Sequence, residues 1–210
     1  MILLFAGNEN NTSDRQLSET LYRAALDAYL ENTKRRVSGK DCERTAGVHG
    51  KPAAAGLPGF HFNISHSGGI GVCALSDRPV GADLQRIPAD PGRCLRIARH
   101  FYSETEVRAL EALSGRSEDL CALFCRLWTA RESFVKCTGE GLSRDFRSFC
   151  PDLQKGVIRT VISETGDHAS SAPEGGQYYI REYPAPDGYV LTVCSQAPLT
   201  PAPQCRWKDL

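Results

Sequence analysis

The sequence predicts an α+β fold of two similar α/β halves that meet near Pro79 and divide the chain into residues 1–78 and 79–210. Three observations predict it. A strand–turn–strand pattern near residues 60–75 returns near 178–194, each time after a helical stretch. Residues 118–136 carry an unbroken helical pattern. The chain has 210 residues, of which 41% are hydrophobic and 24% charged, the composition of a folded domain with a sizeable core rather than a disordered segment.

The elements follow in order. Met1–Ala6 is apolar and reads as a first strand; it is too short for a secretory h-region and has no basic start, so the protein is expected in the cytoplasm. No apolar run approaches the ~20 residues that cross a bilayer. Residues 12–30 read as a helix capped by Asp14, with Leu17, Leu21, Ala24, Ala25 and Ala28 at helical spacing. Residues 31–59 are rich in Lys, Arg, Gly and Pro and read as loop. A strand over 60–65, a turn at His66–Gly69 and a returning strand over 70–75 follow, then a short strand over 80–85. Pro91 opens a short helix to His100, and Ser103 with Glu106 forms a capping box that starts a helix to Leu113. The strongest helix has Leu120, Leu123, Phe124, Leu127 and Phe134 as its apolar stripe. Strands are expected at 157–162, 178–183 and 189–194, and the Pro-rich last dozen residues read as a tail.

Lys and Arg total 25 and Asp and Glu total 25, so the net charge is zero and no bulk positive field exists to grip nucleic acid. The nine cysteines contain no CxxC pair. Cys121 and Cys125 lie one helical turn apart without further zinc ligands at hand, which favours reduced thiols used as small core residues.

Several residues carry possible chemistry. Asp83 ends a short apolar strand, and Glu132 sits at the edge of the apolar stripe of the strong helix, one turn before Lys136. The pair Glu132–Lys136 reads either as a surface ion pair or, with Asp83, as a carboxylate site for Mg²⁺. Asn63–Gly69 reads either as a loop that caps its own backbone or as an anion-binding turn. Lys51 by itself is a solvated loop charge.

The motifs Gly50-Lys51-Pro52, Phe62 to Gly68, Val80-Gly81-Ala82-Asp83, Phe101 to Glu106, Trp128 to Lys136 and Gly139 to Ser143 occur in that order. Their order and spacing resemble the 4′-phosphopantetheinyl transferases of the surfactin-synthetase (Sfp) type, closely over about residues 50–150. The resemblance implies an enzyme that moves the phosphopantetheine arm of coenzyme A onto a serine of an acyl or peptidyl carrier protein, with 3′,5′-ADP leaving. It implies a pseudo-dimer of the two α/β halves, with coenzyme A in the cleft between them. It implies Mg²⁺ held by Asp83, Gln85 and Glu132, and coenzyme A phosphates met by Lys51, Ser65, His66 and Lys136. It also implies catalytic roles for Glu106, Glu132 and Lys136, with Glu106 or Glu132 taking the serine proton. Glu106 also has a sufficient reading as the third residue of its capping box.

The sequence departs from the family pattern at three places. Gln85 stands where the family has a third acid, so it offers at most an amide oxygen. Arg131 stands where a lysine is usual and falls within the apolar stripe, which favours a buried stem and a paired head. Few basic residues precede the first helix: Arg15 and Arg23 are near, and Lys34, Arg35 or Arg36 are the alternative contacts for the 3′-phosphate of coenzyme A. Arg93, Arg96 and Arg99 recur every three residues and suit an acidic carrier protein. The expected protein is a monomer with no nucleic-acid or membrane partner; the rival reading is a catalytically weak binder of coenzyme A or of the carrier.

Overall fold

The computed structural model describes residues 1–7, 13–35, 44–46, 52–54, 56–141, 144–160 and 176–208. The fold is mixed α+β. Its elements are β1 (Ile2–Gly7), α1 (Asp14–Thr33), β2 (Arg44–Ala46), β3 (Pro52–Ala54), β4 (His61–Ser67), β5 (Ile70–Ser76), β6 (Val80–Arg86), α2 (Pro91–Phe101), α3 (Glu104–Glu111), α4 (Ser117–Thr138), β7 (Phe149–Asp152), β8 (Val157–Thr160), β9 (Tyr179–Tyr183), β10 (Tyr189–Ser195) and β11 (Gln204–Lys208). One sheet has the order β11-β1-β5-β4, a second β6-β10-β9-β8-β7, and β2 pairs with β3. Among the described residues no helix is long and apolar enough to cross a membrane.

Alternation along the strands builds the layers. In β1, Ile2, Leu4 and Ala6 face α1 and meet Leu17, Leu21, Ala24 and Ala28. Leu3 and Phe5 point the other way and meet Ala82, Leu84, Leu191 and Val193 of the second sheet. The opposite face of the second sheet is covered by α4, through Ala130, Phe134 and Cys137 against Ile158, Ile180 and Cys194. Helices α2 and α3 pack on the outer side of α4 around Cys94, Ala98, Tyr102 and Leu110.

Gly81 lets α4 come close to β6. A Cβ there would stand 2.0 Å from the Ser133 carbonyl oxygen and 2.4 Å from the Cys137 nitrogen. A row of polar residues runs beneath the helix: Asp83 of β6 pairs in register with Thr192 of β10, and Thr192 with Glu182 of β9. Each meets α4, as Asp83 to Lys136, Thr192 to Thr129 and Glu182 to Arg126. This row fixes the register of helix on sheet.

The structure differs from the sequence reading at four points. The cap of α1 is Ser13, whose hydroxyl accepts from Gln16 N–H, while Asp14 is the first helical residue. His66 and Ser67 are strand residues, because β4 runs on to Ser67 and the turn is only Gly68-Gly69, at φ 54° and 83°. A Cβ on Gly68 would also strike the Tyr189 hydroxyl at 2.5 Å. The loop-like 31–59 region contains the β2–β3 hairpin. The expected tail forms β11, which lies parallel to β1 and stacks Trp207 on Phe5 with centroids 5.1 Å apart. The last strand of the chain thus completes the sheet that the first strand begins.

Candidate active site

The site lies where the edge strands β4 and β6 meet below α4. Asp83 is 1% exposed. Its Oδ1 accepts from Lys136 Nζ (2.6 Å) and from the Ser65 hydroxyl (2.9 Å), and Lys136 also donates to Ser65 Oγ (3.2 Å). Among the described residues its Oδ2, like Glu106 Oε1, is buried and accepts no hydrogen bond. Burial pushes the Asp83 carboxyl above its ordinary value, against the pull of the Lys136 ammonium and of the Ser65 and Gln85 side chains. Glu132, one turn before Lys136, is half-buried; its carboxyl is raised by burial and by the Asp83 charge, with Lys136 in partial opposition. Gln85 lies on the same face of β6 as Asp83 and accepts from the Ser67 hydroxyl at 3.3 Å.

Asp83, Gln85, Glu132, Lys136 and Ser65 therefore come together. Among the described residues no three His, Cys, Asp or Glu side chains cluster as a metal site, so two carboxylates and one amide are what the chain offers. That set fits a hard divalent cation whose remaining positions go to water or substrate phosphate. The open, buried Asp83 Oδ2 is the atom such a cation would satisfy.

A second group gathers at the N-terminus of α1. His66 Nδ1 lies 3.5 Å from Asp14 Oδ2. His66, Asp14, Arg15 and Arg44 line a groove of about 630 Å³ with Gln16, Ser18 and Glu19. Arg15 and His66, singled out from sequence, meet there; Arg44 and Asp14 were not singled out as ligand contacts, since one lay in the loop-like region and the other read as a cap. Lys34 and Arg35 close the far end of α1, about 28 Å along the axis from Arg15 at 1.5 Å per residue, which removes both from this groove. Arg23 instead pairs with Glu19 at 2.8 Å. Lys51 and Arg36 lie outside the described residues.

Glu106 stands apart from these groups. Its Oε2 accepts from Arg131 (2.6 Å), from Ser103 N–H (2.9 Å) and from the Ser103 hydroxyl (2.7 Å). Burial alone would raise this carboxyl, but Arg131 and Ser103 outweigh it and hold it below its ordinary value. Arg131 is 0% exposed and its guanidinium lies over the Tyr102 ring, 4.4 Å from the centroid. Its hydrogen bonds run to Ser103 and Arg131 rather than to Asp83, Ser65 or Lys136. The eight described cysteines are free thiols.

Residues 79–194, which carry Asp83, Gln85, Glu106, Glu132 and Lys136, match the family model of the 4′-phosphopantetheinyl transferase superfamily. The chain belongs to this superfamily. It is 35% identical over 183 residues to the 4′-phosphopantetheinyl transferase Sfp of Bacillus subtilis strain 168, covering 87% of this chain and 73% of that protein. A second Bacillus subtilis 4′-phosphopantetheinyl transferase is 36% identical over 151 residues, covering 71% of this chain and 61% of the relative. The 4′-phosphopantetheinyl transferase AcpT of Salmonella typhimurium is 42% identical over 171 residues, covering 80% of this chain and 74% of the relative. The chain thus spans between 61% and 74% of the length of these superfamily members.

Sequence reasoning took Asn63 and Ser67 as parts of an anion-binding or self-capping turn and missed that they accept from the backbone of β6. The available signal was alternation: Asn63, Ser65 and Ser67 form one polar face of a strand whose other face holds Phe62 and Ile64.

Proposed function

We propose that the protein transfers the 4′-phosphopantetheine arm of coenzyme A to a serine of an acyl or peptidyl carrier protein. The observation that carries this reading is the Asp83 carboxylate, tied by one oxygen to Ser65 and Lys136 and left open at the other beside Glu132. Membership of the superfamily supports the reaction class. No observation favours the weak-binder alternative.

In this reading coenzyme A lies in a cleft between two related halves, 1–78 and 79–210, with β11 returning to the first. Arg15, Arg44 and His66 bind its phosphates, with Lys51 as a further expected contact. Asp83, Glu132 and Gln85 hold Mg²⁺, which when bound would offset the negative charge of the pyrophosphate. Lys136 donates to the β-phosphate oxygens as the carrier serine oxygen bonds to the β-phosphorus and the bond to 3′,5′-ADP breaks. The serine proton passes to Glu132. Its place beside Asp83 and Lys136 supports that role, whereas Glu106 is already engaged by Arg131 and Ser103. The protein is taken to act as a cytoplasmic monomer.

Arg93, Arg96 and Arg99 are all exposed on α2, and Arg147 is tied to this stretch through the Arg99 carbonyl at 2.6 Å. They form the proposed docking face for an acidic carrier. Mass spectrometry of an apo carrier with coenzyme A and Mg²⁺ tests the whole reading. A mass gain equal to the arm is expected; an unchanged carrier mass for both an acyl and a peptidyl carrier would overturn it. Arg96→Glu is expected to raise the Michaelis constant for the carrier and weaken its salt dependence.

A further inference from the structure

Strands β4 and β6 are the facing edges of two different sheets, and neither lends the other a ladder. The N–H groups of Ala82, Leu84 and Arg86 point out of the second sheet and need partners. They find them in side chains. Ala82 N–H donates to Asn63 Oδ1 (2.8 Å), Leu84 N–H to Ser65 Oγ (3.1 Å) and Arg86 N–H to Ser67 Oγ (3.0 Å). The offset is 19 residues at every rung. The strands therefore run parallel and in register, with short side-chain oxygens in the place of strand carbonyls. Asn63, Ser65 and Ala82 are buried, so a lost rung would leave a desolvated N–H.

The rungs bracket the site. Asp83 lies between the first and second, and Gln85 between the second and third. Two rung residues also touch these side chains, Ser65 at Asp83 Oδ1 and Ser67 at Gln85 Oε1. The same strand β4 carries His66 into the α1 groove. A one-residue slip would turn Phe62 and Ile64 toward β6 and move His66 away from that groove.

We propose that Asn63 and Ser67 are positioning residues: the side-chain ladder they form with Ser65 sets β6 beside β4, so that Asp83 and Gln85 stand in fixed relation to Ser65 and His66. Neither residue needs to touch substrate for this. Its consequence for a bound cation rests on the metal reading given above; its consequence for the seam does not.

The test uses the full chain. In the wild type, hydrogen exchange of the Ala82 and Leu84 amides is expected to be as slow as that of residues within the β6–β10 ladder. In Ser67→Ala and in Asn63→Leu, the Leu84 amide is expected to exchange roughly fivefold to tenfold faster although its own partner, Ser65, is untouched. Ser67→Thr keeps the hydroxyl and is expected to restore slow exchange. Mn²⁺ alone, titrated against the same proteins, is expected to bind about fivefold more weakly to Ser67→Ala than to wild type or Ser67→Thr. Fast exchange of the wild-type Ala82 and Leu84 amides would overturn the proposal. So would a Ser67→Ala protein that loses protection only at Arg86 and keeps wild-type Mn²⁺ affinity. If Asn63→Leu fails to fold, the Ser67 variants and the wild-type exchange still decide. If the wild type binds no Mn²⁺, the metal reading falls while the exchange data judge the seam separately.

Discussion

Helix α4 makes two buried ion pairs of equal length, and they do opposite things. Lys136 reaches Asp83 at 2.6 Å, and Arg131 reaches Glu106 at 2.6 Å. Around Glu106 the bonding is closed. One oxygen takes Arg131 and both Ser103 donors, the other is buried without a hydrogen bond, the arginine lies against the Tyr102 ring and matches the single negative charge, and the carboxyl is held below its ordinary value. Around Asp83 the bonding is open. One oxygen takes Lys136 and Ser65, the other takes nothing, the neighbouring Glu132 adds a second negative charge, and both carboxyls are raised. The closed pair sets one carboxylate against one cation and holds α3 to α4, while the open pair has a second acid crowded against it, a repulsion that the proposed cation would relieve. Neither distance nor an unpartnered oxygen separates the two, since Glu106 Oε1 and Asp83 Oδ2 are both buried without a hydrogen bond; the second acid beside Asp83 and the opposite direction of the carboxyl shifts do.

The largest effect is expected at Glu132, the acid crowded against the open pair. Glu132→Ala is predicted to slow transfer to the carrier by about a thousandfold, because in the proposed reading it would remove both a cation ligand and the proton acceptor. The rate of carrier mass gain measures it, and near-normal turnover would defeat the assignment. Glu106→Gln serves as the contrast, with transfer per folded molecule expected to stay within about tenfold of wild type. A Glu106→Gln protein that folds normally and yet matches Glu132→Ala in its loss would return the base role to Glu106.

Stability should respond the other way round. Arg131→Met leaves the Glu106 carboxylate buried without its cation and is predicted to destabilise the fold by about 3 kcal/mol, read from denaturant unfolding. The pH dependence carries the sign. Because Glu106 is depressed below its ordinary value of 4.5, its contribution is present above that pH and is lost as the pH falls below it toward the folded value. The stability gap between wild type and Glu106→Gln should therefore narrow in acid. Asp83 and Glu132 are raised, so in the metal-free protein their relative stabilisation is present below their ordinary values of 3.8 and 4.5 and is lost as the pH rises through the folded values. A gap for Glu106→Gln that widens in acid would contradict the closed-pair account.

How much of this was legible in the sequence depended on range. The Ser103–Glu106 capping box, the stripe of α4 and the start of α2 at Pro91 are local patterns, and the structure holds all three. The two-sided role of β4 was half legible: its polar alternation is in the sequence, but the partner strand that uses it lies 19 residues on. Strand β11 was not legible, because it is made a strand by β1 at the other end of the chain, and a Pro-rich approach hid it. Neither ion pair was legible, for the same reason: the sequence paired Lys136 with Glu132 one turn away, whereas in the structure Lys136 bonds Asp83. Arg131 and Glu106 are 25 residues apart, Lys136 and Asp83 are 53 apart, and no spacing rule spans such gaps.

The smallest predicted effect probes how open the open pair is. Gln85 shares a face of β6 with Asp83 and brings no charge, so the site has two acids. Gln85→Glu would add a third carboxylate on the same face. In the absence of metal this raises the repulsion among Asp83, Glu132 and the new group, so the variant should be slightly less stable than wild type. With Mg²⁺ present the sign reverses, and affinity is expected to rise about fivefold through the added charge and a better oxygen donor. A titration followed by thermal shift separates the two, since the variant should start lower and gain more per decade of Mg²⁺. The equivalent change beside the closed pair, Cys150→Glu near Glu106, should lower stability with or without Mg²⁺, because Arg131 already fills the position that a cation would take. A Gln85→Glu protein whose metal titration matches wild type would place residue 85 outside the reach of the cation and leave Asp83 and Glu132 as its whole protein shell.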